Sequence, residues 1–437
     1  MPTIHGTNNA DIINDQDGVT NGNDTIYGYA GNDMITGRGG DDLILGGVGA
    51  DFINGATGFD TASYVDSVTG VAVDLTSGTG AGGSAEGDQL SGIEYLTGSY
   101  HADTLVGNDT SNLLAGMDGH DMLKGGGGAD TLYGGYGDDT LKGGGGADIL
   151  NGGDGLDDTA SYDGSPVGVF ISLSTDDAAY GDAEGDDLNS IENVAGSAYH
   201  DELWGDYFDN VIRGNAGDDL LKGYGGYDTL YGGDDNDVIY GMNGRDTLHG
   251  ENGNDILDGG EGVDTMIGGD GDDIYFVEGF VETVIEVSGQ GNDTVFSASP
   301  SHILSDFVET LSLDTATDTG IAGVGNAQAN TIFGNSNDNW LNGGAGADVL
   351  SGLGGNDRFA FEAVEAHGDT VYEFNGNGAG AGDVLEFTGY GTAEDGASFV
   401  QLTADTWQIN SADGLIHDVI TLAGAPTIDA TDFVFLQ

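Results

Sequence analysis

Gly37-Arg38-Gly39-Gly40-Asp41-Asp42-Leu43-Ile44-Leu45 runs directly into Gly46-Gly47-Val48-Gly49-Ala50-Asp51-Phe52-Ile53-Asn54. Aligned on one another, the two stretches share a nine-residue frame with small turn residues first, an acid at position six and an apolar residue at position eight. The same frame places acids at Asp24, Asp33, Asp42, Asp51 and Asp60, then at Asp103, Asp121, Asp130, Asp139, Asp148 and Asp157. It continues through Asp201, Asp219, Asp228, Asp237, Asp246, Asp255, Asp264 and Asp273 and returns at Asp348 and Asp357.

Nine residues are too few to bury a core of their own, so each unit must be one turn and one short strand of a stacked array. Position eight is the reliably apolar place and points inward, between outward residues at seven and nine. The first six residues form a turn in which glycine permits positive φ and lets backbone carbonyls approach a ligand. The position-four glycines are Gly40, Gly49, Gly128, Gly137, Gly146, Gly155, Gly226, Gly244, Gly253, Gly262, Gly271, Gly346 and Gly355, and they are expected beside the carboxylates as parts of the same metal loops. Two units close one coil, so residues 18 apart stack at about 4.8 Å. Unit charges at that spacing repel by about 3.5 kcal/mol at an effective dielectric near 20. With 7 Lys+Arg against 76 Asp+Glu and a formal charge of -69, the chain cannot neutralise these rows itself. Carboxylates and carbonyls in flexible loops are hard oxygen donors, which select calcium.

These residues resemble the repeats-in-toxin (RTX) nonapeptide G-G-x-G-x-D-x-U-x. Close copies are Gly125 to Leu132, Gly143 to Leu150 and Gly343 to Leu350. The resemblance implies an all-β, right-handed parallel β-roll with calcium held between loops on one edge. Aspartate pairs 18 apart suggest about thirteen well-formed sites. Asn112, Asn210, Asn330 and Asn339 stand where the acid should be, and weak or absent calcium is expected there. The first turn, Gly6 to Ile13 with Asp11, is irregular and reads as an end cap.

Composition narrows the classes further. With 84 Gly and 4 Pro the chain is neither collagen-like nor a Pro-rich linker, and its acidity would mean disorder without a metal. No cysteine is present, which removes disulfides and thiolate sites. No apolar run has the length of a transmembrane span, and the segment Met1 to His5 lacks the features of a cleavable signal. So acidic a chain is not expected to bind nucleic acid.

Two interruptions copy one another at an offset of 98 residues: Asp60-Thr61-Ala62-Ser63-Tyr64 returns as Asp158 to Tyr162, Ala85-Glu86-Gly87-Asp88 as Ala183 to Asp186, and Ile93-Glu94 as Ile191-Glu192. The chain is therefore divided into roll blocks at 1–60, 103–158, 201–273 and 325–357. Duplicated β modules lie at 61–102 and 159–200, an irregular β module at 274–324, and a β cap at 358–437. The modules are expected to extend the solenoid as longer coils. The last residues, Asp432 to Gln437, resemble an uncleaved C-terminal export signal, which implies an extracellular or surface location reached in one step.

No catalytic constellation stands out. Gly78 to Gly83 matches a dinucleotide fingerprint only by spacing, and neither H-E-x-x-H nor G-x-S-x-G occurs, so the protease and lipase that accompany similar repeats are not expected. Lys124, Lys142 and Lys222 share position nine with Tyr27, Tyr133, Tyr231 and Tyr240. Their faces read first as cross-strand pairs and second as a surface for acidic polysaccharide. The sequence thus points to a secreted calcium-binding protein with a structural, surface-layer, matrix or adhesive role. Its partners would be calcium, cell-surface components or further copies of itself. A polysaccharide-active enzyme of the alginate-modifying type is the alternative.

Overall fold

The computed structural model describes residues 2–279, 281–313, 322–376, 382–424 and 427–437. By its internal contacts the chain forms two units, Met1–Lys222 and Gly223–Gln437, divided within the third nonapeptide block. Each unit is a parallel β-solenoid. In the first, Thr25–Tyr27 pairs in parallel with Leu43–Leu45, and Met122–Gly127 with Thr140–Gly145, both at 18 residues. In the second, Thr229–Asp234 pairs in the same way with Thr247–Asn252.

The reason is visible in the repeating pattern. Ile26, Ile35, Ile44, Leu105, Leu123, Leu141 and Leu150 in the first unit are fully buried at position eight, as are Leu230, Ile239, Leu248, Leu257 and Met266 in the second. Their neighbours at seven and nine, the buried Leu45 apart, are intermediate or exposed, as a three-residue strand over a narrow core demands. In the densest block the strands lengthen to six residues, because positions two and three also pair across coils, Gly126 with Gly144 and Gly127 with Gly145.

The duplicated interruptions do extend the solenoid, with one feature the alternating residues did not disclose. Ala72–Asp74 pairs in parallel with Thr104–Val106 but antiparallel with Thr79–Ala81, which turns through a single 3-10 turn at Gly83–Ala85. Gln89–Ser91 then rejoins the parallel ladder against Phe52–Asn54. The copy repeats this with Phe170–Ser172 antiparallel to Asp177–Ala179 and Asp187–Asn189 parallel to Ile149–Asn151. Each interruption is thus a hairpin set into an otherwise parallel stack.

At the C-terminal end, Val384–Thr388 continues the stack and receives Phe433–Leu436 in parallel. An antiparallel meander of Ser398–Gln401, Thr406–Asn410 and His417–Leu422 closes onto Thr370–Tyr372. Phe387, Phe399, Phe433 and Phe435 pack together, with Trp407 stacked on Phe399, an aromatic plug that covers the open end of the narrow core. Parts of two expected segments, residues 314–321 of the irregular module and residues 377–381 and 425–426 of the cap, lie outside the described residues.

The turns are so tightly stacked that glycine at position four is obligatory in places. Gly137 has φ of 122°, and a methyl group there would overlap the Gly119 carbonyl oxygen of the preceding coil. Gly145, at position three, faces open space. Gly137→Ala should therefore cost about 1–3 kcal/mol in the calcium-loaded chain, while Gly145→Ala should stay within about 0.5 kcal/mol of the parent. Thermal melts followed by circular dichroism check this, and equal shifts for the two variants would contradict the stacking.

Candidate metal centre

The sixth-position aspartates point into the turns. Asp42, Asp51, Asp121, Asp130, Asp148, Asp255, Asp273 and Asp348 are each at most 2% exposed. Each coil binds the next through them. The backbone N–H of Asp24 donates to Asp42 Oδ1 at 2.7 Å, that of Asp33 to Asp51 Oδ1 at 2.8 Å and that of Asp130 to Asp148 Oδ1 at 2.8 Å. The second unit repeats the pattern, with Asp228 N–H to Asp246 Oδ1 at 2.9 Å and Asp255 N–H to Asp273 Oδ1 at 2.8 Å. One carboxylate oxygen is thereby held in register. A side chain on the position-one glycine, Gly143 for example, would collide with the other, Asp148 Oδ2.

That other oxygen divides the turns into two kinds. Oδ2 of Asp33, Asp42, Asp51, Asp60, Asp121, Asp130, Asp139, Asp148, Asp255, Asp264, Asp273 and Asp348 is buried and receives no hydrogen bond. In these open turns position two has positive φ, whether it is glycine, as at Gly126 (109°), or not, as at Tyr29 (76°), Arg38 (79°) and Met117 (88°). In the closed turns position two is a short polar residue whose own N–H reaches back to the carboxylate. Thr20 donates to Asp24 Oδ2 at 2.6 Å, Ser99 to Asp103 Oδ2 at 2.5 Å and Ser197 to Asp201 Oδ2 at 2.6 Å. Asn112, Asn210, Asn330 and Asn339 sit in closed turns too, each accepting from position two at 2.7–2.8 Å. Asp11 is closed by Thr7 N–H at 2.5 Å.

Asp157 is corrected by one residue. It is exposed, and Asp158 is the buried acid that accepts the Asp139 N–H at 2.7 Å and keeps Oδ2 without a donor. The turn Gly152 to Asp158 carries one extra residue, so counting in nines slips there. Gly155 and Gly262 also fall outside the left-handed region that the other position-four glycines occupy.

Several acids in the irregular coils stand in the same row without having been expected. Asp51 donates its N–H to Asp88 Oδ1 and Asp148 to Asp186 Oδ1, both at 2.8 Å. Glu94 and Glu192 accept from Asp60 and Asp158 at 3.0 Å, Glu309 from Asp293 at 2.9 Å, and Asp369 and Asp383 from Asp348 and Asp357 at 2.9 Å. The 98-residue duplication carried the signal for the first four, since each acid recurs in it. At Asp88 and Asp186 the second oxygen is closed by a buried tyrosine hydroxyl, Tyr64 at 3.2 Å and Tyr162 at 3.1 Å.

The electrostatics follow from this burial. Loss of water pushes Asp42, Asp51, Asp130, Asp255 and Asp348 up to about 6 and Asp121 up to about 7, partly offset by the amide hydrogen bond. For Asp42, Asp51, Asp121 and Asp130 a neighbouring carboxylate adds to the rise. The ion pairs of Arg38, His120, Lys142 and Arg358 go to Asp15, Asp138, Asp163 and Glu386, none of them a donorless aspartate. Lys222 lies over the Trp204 ring at 4.4 Å, and Tyr231 stacks on His249 at 4.7 Å, so these position-nine side chains serve as cross-strand partners. A buried carboxylate oxygen without a donor, in a turn lined by backbone carbonyls, fits a hard divalent cation.

A model of the RTX calcium-binding nonapeptide repeat family matches residues 19–62, 97–158, 195–275 and 324–359, in overlapping copies that cover just over half the chain. The chain belongs to the RTX calcium-binding repeat family. Its RTX repeats bind calcium, and the matched stretches contain both open and closed turns. No curated protein matches the chain.

Two expectations follow for this RTX protein. Asp130→Asn should remove about one calcium from the saturated chain, because it replaces a donorless oxygen in an open turn. Asp103→Asn should leave the count nearly unchanged, because Ser99 already closes that turn. Calorimetric titration of both variants decides, and equal losses would sink the division into two kinds. The second expectation concerns pH. These carboxyls have folded values of about 6 to 7 against the ordinary 3.8, so in the metal-free chain their contribution to stability is fully present below about pH 4 and is lost as pH rises through 6 to 7. The chelated chain should gain β-structure on acidification from about pH 8 to about pH 5, and calcium added at neutral pH should release protons. A flat circular dichroism signal across that range would contradict the burial of these groups.

Proposed function

We propose that this RTX protein is an extracellular scaffold that is unfolded without calcium, folds when calcium fills its open turns, and then acts as a structural, surface-layer, matrix or adhesive component. The observation that carries this reading is the row of buried, donorless carboxylate oxygens, repeated at 18 residues in both units. Without a cation each is a desolvation penalty in a chain of charge -69; with one, each becomes a bond between coils. At ten times a dissociation constant of about 0.1 mM, a site contributes about 1.4 kcal/mol, so a dozen open turns supply the stability of an ordinary domain.

The location follows from the same numbers. Sites of that affinity are empty inside a cell and full outside it, and RTX repeats usually occur in exported proteins. Partners in this reading are calcium first, then acidic polysaccharide, cell-surface components or further copies of the chain. No helix among the described residues is long and apolar enough to cross a membrane. RTX repeat architecture is typical of non-catalytic proteins, and the repeats match just over half the chain, which supports a non-catalytic role.

Circular dichroism of the full chain should change from disordered in chelator to β-rich in millimolar calcium. The same β-spectrum in both would remove the scaffold reading. For export, the segment Phe433–Leu436 is an edge strand that half exposes its side chains, and deleting residues 427–437 should retain the protein in the cytoplasm of an exporting host while leaving purified material able to bind calcium. Undiminished secretion of the truncated chain would assign this strand to the cap alone.

A further inference from the structure

Among the described residues, one place brings three acidic side chains together with oxygens all within 4.8 Å of one another: Asp273, Glu286 and Asp293. All three are buried, at 1%, 7% and 2% exposure. Glu286 follows the strand Thr283–Ile285, which pairs with Thr265–Ile267 at 18 residues. It therefore stands at position one of its turn, 18 residues after Gly268, where the regular repeats have glycine. A side chain on Gly268 would collide with both Asp273 Oδ2 and the Tyr275 hydroxyl. The glutamate thus enters the interior of the turn above Asp273, and Asp293 arrives from the next coil, which is lengthened to a 20-residue spacing.

The donors do not balance the acceptors. Asp255 N–H donates to Asp273 Oδ1 at 2.8 Å and Asp273 N–H to Asp293 Oδ1 at 2.9 Å. The Tyr275 hydroxyl donates to Glu286 Oε1, and Val287 N–H lies 3.3 Å from Glu286 Oε2. Asp273 Oδ2, in a side chain 99% buried, has no donor. The contrast with the duplicated modules is direct. At Asp88 and Asp186 a buried tyrosine closes the open oxygen; here the tyrosine is spent on an added glutamate, and the open oxygen remains. None of the ion pairs of Arg38, His120, Lys142 and Arg358 reaches the three acids.

We propose that Asp273, Glu286 and Asp293 together hold one hard divalent cation, calcium in the medium this chain works in, at a site that takes Asp273 from the last nonapeptide of the third block and adds two acids from outside the pattern. Three convergent carboxylates carry more charge than an open turn with its single aspartate, so this site fills first as calcium rises. Its occupation fixes Glu286 to the roll. The inference rests on the reading of Asp273 as an open calcium turn and adds to it Glu286 and Asp293, which the nonapeptide does not supply.

The test is calcium titration by calorimetry on the full-length chain, together with terbium(III) luminescence excited through aromatic side chains. Glu286→Gln should lose one calcium and the earliest binding event, while the later, repeat-driven rise in β-structure persists. Terbium emission at one equivalent should fall several-fold in Glu286→Gln and in Tyr275→Phe. If Glu286→Gln does not fold, Glu286→Asp supplies the reading, with an earliest event expected about tenfold weaker. An unchanged count and first affinity in the variant that folds would overturn the proposal. A parent chain whose β-structure ignores calcium, but which still binds one terbium ion lost in Glu286→Gln, would remove the scaffold reading and leave this site standing.

Discussion

Everything in this molecule depends on where the two oxygens of a buried aspartate go. Oδ1 is held by the backbone amide of the coil before, and this bond sets the register as strictly as the strand ladder does. Oδ2 is left over. A buried carboxylate with a donorless oxygen is stable only with a proton or a cation, and at neutral pH the cation is the one compatible with a soluble, folded chain. The narrow core of one Ile or Leu per nine residues is too thin to hold the coils alone, so the metal rows and the core act as two parallel seams along the same stack.

The two kinds of turn show how the same frame is switched on or off. A threonine or serine at position two, as at Thr20, Ser99 and Ser197, turns its own amide onto the carboxylate. Positive φ at position two leaves the oxygen open. The closed turns Ser99 to Asp103 and Ser197 to Asp201 directly follow the inserted modules, and the asparagine turns at Asn112 and Asn210 come nine residues later. The chain thus places self-sufficient turns where stacking resumes after an interruption and metal-dependent turns in the uninterrupted runs.

Much of this was legible in the sequence because the frame is periodic: the parallel coils, the buried position eight and the row of acids all follow from spacing. The division of the row was not, because nothing in composition says that Arg38 or Met117 adopts positive φ, or that Ser99 bends its amide back. Asp157 was misplaced because one extra residue shifts the frame, although the duplication already sets Asp158 against Asp60. Asp88, Asp186, Glu94 and Glu192 were readable from the duplication, had their acids been aligned with the row. The antiparallel hairpins at Thr79–Ala81 and Asp177–Ala179 escaped because alternation gives a strand but not its direction.

At position six the amide-to-carboxylate bond runs one way: the earlier coil donates and the coil after it accepts. Damage therefore has a polarity. Removing the carboxylate of Asp148 strips the acceptor from Asp130, on its N-terminal side, while the amide of Asp148 still finds Asp186 ahead of it. The cap provides the last acceptors of the series, Asp369 and Asp383, so it is an anchor for the row and a cover for the core. A fault in the position-six row is felt on its N-terminal side within the same run of coils, and the position-six acids beyond it keep their partners.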